Sequence, residues 1–278
     1  MKQLTGKIAL VTGASGGIGR AICLALADAG AAVVASGRRS GPLGALVAEL
    51  DAKDALAHAI AVDLTDAAAA DDLLGGAERD FGPVDILINN AGAEQPAAFT
   101  DMTPDDIRTM VEINLTATML LTHRVLPGML DRGRGHVVFV SSGLAKMGSA
   151  YQAPYSATKA ALLALTQALR AEYRHTPVGF SVVCPGLVTG AGMYQRMLDD
   201  GFSASPLLGT TTTTRVARKV VAAIRHDRPE VHVTGAPVRP IAAAIQLNPR
   251  LTEVITARAG MTELFRRVAA GRAETKKA

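Results

Sequence analysis

The sequence predicts an α/β fold, a doubly wound parallel sheet in a single domain with a helical extension at its C-terminus. Three observations predict it. Short β-branched runs alternate with helical patterns along most of the 278 residues. Several runs are largely apolar, as strands covered on both faces are. The first run passes through a glycine-rich turn into a helix, and strand–helix alternation implies right-handed crossovers with helices on both sides of the sheet.

The elements follow in order. "KIALVTG" (7–13) reads as strand one, and "IGRAICLALADAG" is a helix stopped by Gly30. Strands are expected over 31–37, 55–64, 84–92, 135–142, 178–186 and 230–235, with helices near 42–53, 103–130 and 151–174. Pro237 and Pro240 interrupt the pattern after Gly235. The expected division is therefore a catalytic dinucleotide-binding domain over 1–235 and a basic helical extension over 236–278. No internal repeat or low-complexity stretch is present.

Composition narrows the classes. Hydrophobic residues make up 49% and charged residues 19%, which suits a packed enzyme better than a disordered regulator. With no Trp and 4% aromatics, a stacking platform for nucleic acid is not expected. The net charge of +4 is unevenly placed: residues 201–278 hold 13 Lys/Arg against 5 Asp/Glu, leaving the body acidic. Cys23 and Cys184 lack metal spacing and read as buried, reduced thiols. The six histidines are scattered, so no metal site is expected. No secretory signal or apolar run of membrane-spanning length is present, so the expected setting is cytoplasmic.

The turn Gly13-Ala-Ser15-Gly-Gly17-Ile18-Gly19 lets the backbone approach a pyrophosphate at a helix N-terminus. Its spacing is not the common GxGxxG pattern. An NAD site places a carboxylate at the end of strand two to meet the ribose 2′-hydroxyl. Here that strand ends in Arg38 and Arg39. Two guanidinium groups suit a 2′-phosphate, so NADP(H) is expected over NAD(H).

The stretch "SSGLAKMGSAYQAPYSATKAAL" (141–162) places hydroxyls and a lysine at the start of a helix. Tyr155 and Lys159 are i and i+4 and share a face. An ammonium near a phenol stabilises the phenolate, so the Tyr155 pKa is expected to be lowered. Ser142 ends a central strand, where ligands bind in open α/β sheets.

Taken in order, these motifs resemble the short-chain dehydrogenase/reductase family, whose fold is Rossmann-like. "TGASGGIG" (12–19) matches TGxxxGxG, "NNAG" (89–92) the strand-four motif, and Tyr155 with Lys159 the YxxxK motif. Ser142 precedes Tyr155 by 13 positions, the family's usual offset, and Asn114 lies in the intervening helix. The resemblance covers about residues 5–235. It implies Tyr155 as general acid/base, Ser142 as substrate positioner, Lys159 as pKa tuner and ribose anchor, and Asn114 holding a water on a proton relay. It also implies an acidic residue near the adenine at Asp63, a cofactor channel lined by Asn90, Ala91 and Gly92, and further cofactor contacts at Leu64, Pro185, Gly186 and Val188. The family's PGxVxT motif departs here: Thr189 arrives one position early and Gly190 takes the usual place.

The reaction so implied is hydride transfer between NADP(H) and a ketone or secondary alcohol. Segments 143–152 and about 190–209 would hold that substrate. Met147, Met193, Tyr194, Met197 and Phe202 suggest an apolar pocket. Tyr151 reads as pocket wall or packing, and Lys146 as a solvated lysine. The rival reading is a non-catalytic dinucleotide-binding redox sensor, which would need no proton relay. Family members are commonly oligomers, so a homodimer or homotetramer is expected. In the basic tail, Leu251, Val254 and Ile255, and then Leu264, Phe265 and Val268, fall at helical spacing. Packing of these faces on the body or on a second subunit is favoured over peripheral contact with an anionic membrane.

Overall fold

The computed structural model describes residues 1–66, 68–235, 244–245, 247–248 and 250–277. Seven parallel strands form the central sheet in the order β3-β2-β1-β4-β5-β6-β9. They are β1 (Ile8–Val11), β2 (Ala32–Gly37), β3 (Ala57–Ala61), β4 (Ile86–Asn89), β5 (Gly135–Val140), β6 (Val178–Pro185) and β9 (Glu230–Val233). Each of the seven expected strands is present. The order reverses between β1 and β4, and this opens a crevice at the carboxyl ends of the strands.

Alternation along the strands divides the core into two layers. Ala9 and Val11 of β1, Val33 and Ala35 of β2, and Val138 and Val140 of β5 face one layer. Leu10, Val34, Val137 and Phe139 face the other. Helices α1 (Gly17–Ala27), α2 (Ser40–Asp51) and α8 (Thr213–Arg225) cover the first through Ile22, Leu46 and Val220. Helices α3 (Ala69–Phe81), α5 (Ala117–Asp131) and α6 (Ala153–Glu172) cover the second through Leu73, Leu121 and Leu162. Each fully buried Leu or Phe contributes about 1.5–3 kcal/mol from area removed from water. Cys23 and Cys184 are free and buried, and burial pushes both thiols up to about 12.

The single helix expected over 103–130 differs in a useful way. Thr103 and Asp106 form a reciprocal cap with Pro104 at the first helical position, starting α4 (Pro104–Val111). A π-helical turn over Glu112–Thr116 then leads into α5. Such turns break the regular hydrogen-bond ladder and redirect a side chain; this one contains Asn114.

Two short strands were not expected. β7 (Leu187–Thr189) and β8 (Thr210–Thr212) form a separate parallel pair, with α7 (Met193–Asp199) between them in sequence. Near the C-terminus, α9 (Arg250–Arg258) and α10 (Met261–Lys277) meet at Gly260, whose φ of +73° a side chain would resist. The break expected at Pro237 and Pro240 lies outside the described residues. Among the described residues no helix is long and apolar enough to cross a membrane.

Candidate active site

The crevice is walled first by the turn after β1. Gly13 has φ +64°, and a Cβ there would stand 2.8 Å from the Ala91 Cα. A Cβ at Gly19 would meet the Gly13 carbonyl oxygen at 2.2 Å. These positions accept only glycine. The turn feeds α1, which has no side-chain cap and no acidic residue in its first turn. Its first amide N–H groups and positive dipole end therefore face the crevice, open to an anion. Ser15, Gly17 and Ile18 complete the turn, and a Cβ at Gly17 would collide with the Cβ of Ala191, so the segment after β7 lies across it.

Asn90 and Ala91 stitch β4 to this turn. Their N–H groups both donate to the Thr12 hydroxyl at 3.0 Å, and the Asn90 amide donates to the carbonyls of Thr12 and Gly13. Their side of the crevice is thus built by hydrogen bonds within the protein. At the end of β2, Arg38 and Arg39 are exposed, and Arg39 occupies the N-cap position of α2. Beyond β3, Asp63 accepts from the Thr65 N–H and hydroxyl at 3.0 and 2.9 Å. Those bonds, with the charge of Arg38, hold its carboxyl below the usual range. Leu64 lies beside it, packed against the core.

The serine pair divides its work. Ser141 is buried and donates to the Lys159 carbonyl at 2.7 Å, pinning α6 to β5. The Ser142 hydroxyl accepts from the Leu144 N–H at 3.2 Å and lies near enough to the Tyr155 phenol to lower its pKa. Lys159 donates to the Val140 carbonyl at 3.0 Å, and its ammonium stands 5.8 Å from the centre of the Tyr155 ring, within cation–π range. Ser142, Tyr155 and Lys159 are thus brought together.

The electrostatics run against the sequence expectation at Tyr155. Burial pushes its phenol well above the ordinary tyrosine value, and the Glu94 carboxylate pushes the same way. The Ser142 hydroxyl opposes both. In this state Tyr155 is a protonated phenol. Burial also lowers Lys159, to about 8.

Asn114, fully buried, uses its amide on the backbone beside Gly92. Its Oδ1 accepts from the Ala93 N–H at 2.7 Å, while its Nδ2 donates to the Ala93 carbonyl and the Thr158 hydroxyl. At the end of β6, Pro185 and Val188 are buried and Gly186 lies between them. The Thr189 hydroxyl donates to the Thr211 carbonyl in the β7–β8 pair.

Above the tyrosine sits an apolar cover. Tyr194 and Met197 of α7 pack with Met261, Leu264, Phe265 and Val268 of α10, joined by Met147, Tyr151 and Phe202. Leu144 links this cluster to a second one, in which Met193 packs near Tyr155. The apolar face of α10 is therefore buried against the lid, while Val254 of α9 is exposed. Tyr151 packs there from a left-handed conformation, φ 63°. Lys146 is not a solvated lysine: it is mostly buried and pairs with Glu230 at 3.0 Å.

Two polar residues at the site escaped the sequence reading, Glu94 and Gln152. Gln152 donates to Glu94 at 2.5 Å. Position two after NNAG and three before Tyr155 was the only signal either one carried.

The sequence matches the short chain dehydrogenase family over residues 7–200. It is 40% identical over 238 residues to Ketoacyl reductase HetN of Nostoc sp., covering 86% of this chain and 82% of that protein. It is 36% identical over 191 residues to an uncharacterized oxidoreductase of Staphylococcus aureus, covering 69% of this chain and 82% of that one. Among solved structures, the apo form of LigD from Sphingobium sp. superposes with a TM-score of 0.75 at 26% identity, over 87% of this chain and 95% of that one.

Proposed function

The chain belongs to the short-chain dehydrogenase family, whose enzymes use a nicotinamide dinucleotide, and on that premise we propose that it is an NADP(H)-dependent reductase of apolar ketones. The observation that carries the proposal is the buried Tyr155 near the start of α6, with Lys159 one turn further along the helix and its ammonium 5.8 Å from the phenol ring, facing Ser142 just after β5. A non-catalytic redox sensor has no use for a protonated phenol held beside a second hydroxyl in the crevice.

The residues fit the cofactor. Glycines 13, 17 and 19 let the turn close tightly against Asn90, Ala91 and Ala191, at an uncapped helix N-terminus suited to a pyrophosphate. Arg38 and Arg39 would take the 2′-phosphate of NADP, and no carboxylate at the end of β2 competes for a 2′-hydroxyl. Asp63 and Leu64 would flank the adenine, Asn90 to Gly92 the middle of the cofactor, and Pro185, Gly186 and Val188 the nicotinamide.

When bound, the nicotinamide supplies the hydride that reaches the carbonyl carbon. The chain manages the oxygen. Ser142 holds it by a hydrogen bond, and Tyr155 gives it a proton as charge develops, leaving the alcohol. A phenol kept protonated by burial suits this direction, since the acid is loaded at neutral pH. Lys159 restrains the site from β5 and, with its lowered pKa, can return a proton to Tyr155. Asn114 fixes the floor through Ala93, leaving a water on the relay as a further role.

The apolar cover favours a substrate with a hydrophobic body, and a ketoacyl compound, the class in the name of HetN, fits it. Exposed Met119 and Leu120 on α5 support a homo-oligomer. An NADPH-oxidation screen across β-ketoacyl esters and aryl-alkyl ketones tests the proposal. Turnover is expected; its absence across the whole set overturns the reading.

A further inference from the structure

Glu94 is a carboxylate beside Tyr155 for which the reaction above has no use. Its placement is fixed. Asn114 grips both backbone groups of Ala93, at 2.7 and 2.9 Å, and the Ala97 N–H donates to the Tyr151 carbonyl at 3.1 Å. Segment 93–97 therefore lies along the approach to α6, with Glu94 against Gln152. Gln152 is the N-cap residue of α6 and shares a face with Tyr155, three positions on.

Gln152 is only 1% exposed, and its Nε2 donates to the Glu94 Oε1 at 2.5 Å. Its own Oε1 is buried with no hydrogen-bond partner. Among the described residues this is also the one hydrogen bond of Glu94. A buried acceptor left unmet is costly. Packing alone would be served by an apolar side chain here, as it is where Met102, Ile107 and Met110 pack with Tyr155.

Glu94 also sits within the field of several charges. Arg272 of α10 and Arg196 of α7 favour its ionised form, as does Lys159, against the burial that raises its pKa. The cover elements that bring the apolar cluster over the site bring these cations too. Two acceptors, the second carboxylate oxygen and the buried Gln152 Oε1, thus have no hydrogen-bond partner among the described residues, next to the apolar cover over Tyr155.

We propose that Glu94 and Gln152 form a recognition pair for a hydrogen-bond donor, an O–H or N–H group, carried by the substrate close to its reacting carbonyl. The inference rests on the carbonyl-reductase reading and narrows its substrate class to ketones bearing a neighbouring hydroxyl or amide. The hydrophobic remainder lies against Leu144, Met147 and the α7–α10 cover.

The test is equilibrium binding, so that it does not depend on turnover. Benzylacetone and its α-hydroxy derivative are titrated calorimetrically into the protein saturated with NADP⁺, as are methyl acetoacetate and N-methylacetoacetamide. The first pair probes an O–H donor and the second an N–H donor. At least one donor-bearing ketone is expected to bind tenfold or more tightly than its partner. Gln152→Leu and the near-isosteric Glu94→Gln should each reduce that ratio to threefold or less. A ratio near one for both pairs in the unmodified protein overturns the proposal, and so does a ratio that survives in both variants. Selective binding without any NADPH turnover would instead count against the reductase reading and leave the pair standing.

Discussion

The Lys159 ammonium donates to the Val140 carbonyl at 3.0 Å, tying the middle of α6 to the last residue of β5 while burial brings its pKa down to about 8. A lysine whose folded pKa lies below its unfolded value of about 10.5 opposes folding whenever it is charged. That cost is fully present below about pH 8 and fades as pH rises from there to the unfolded value. Lys159→Met should therefore raise Tm at pH 7, by up to about 3 kcal/mol of stability less the lost hydrogen bond. The advantage should shrink by pH 10. Differential scanning fluorimetry at the two pH values checks both the sign and the trend.

Arg38 gives the cofactor prediction. Arg38→Ser should weaken NADPH binding roughly ten- to hundredfold, the loss of a charge-assisted contact of about 1.5–3 kcal/mol, and barely alter NADH binding. Fluorescence titration of both cofactors measures it. Tighter NADH than NADPH binding in the unmodified protein would contradict the assignment.

Glu94 raises the Tyr155 pKa through its charge, with Arg196, Arg272 and Lys159 partly neutralising it. Glu94→Gln should move the basic limb of the kcat/KM profile for ketone reduction to lower pH, because Tyr155 then loses its proton more readily. An unmoved limb would show that Tyr155 does not feel this carboxylate.

Phe265 is 3% exposed in the cover over the site. Phe265→Ala should cost about 3–5 kcal/mol if the cluster unfolds with the whole chain, seen as a lower Tm. It should also raise KM for ketones with large apolar bodies. Since this face of α10 is packed against Tyr194 and Met197, the full chain should not sediment with anionic vesicles.

Much of this was legible in the residues, for physical reasons that differ by element. Strands such as 135–140 are buried throughout and apolar but for His136 because helices cover both faces, and the run of apolar residues reports that directly. The turn at 13–19 is legible because no side chain fits at Gly13, Gly17 or Gly19. Asn114 was placed in a helix, but the π-helical turn holding it has no composition of its own. β7 and β8, three residues each, carry too little pattern to announce a pairing across twenty intervening residues. The Lys146–Glu230 pair joins residues more than eighty positions apart, so spacing had nothing to offer. The Tyr155 pKa was misjudged because the lysine is visible in the sequence, whereas burial and Glu94 arrive only with the fold.

The most direct measurement compares NADPH oxidation by the unmodified enzyme and by Tyr155→Phe, on a ketone that the former reduces, with the NADPH Kd measured for both. The variant should lose roughly 10²–10⁴-fold or more in rate while its Kd stays within about threefold, since only the proton donor is removed. A Tyr155→Phe enzyme that binds NADPH and reduces the ketone at the unmodified rate would contradict it.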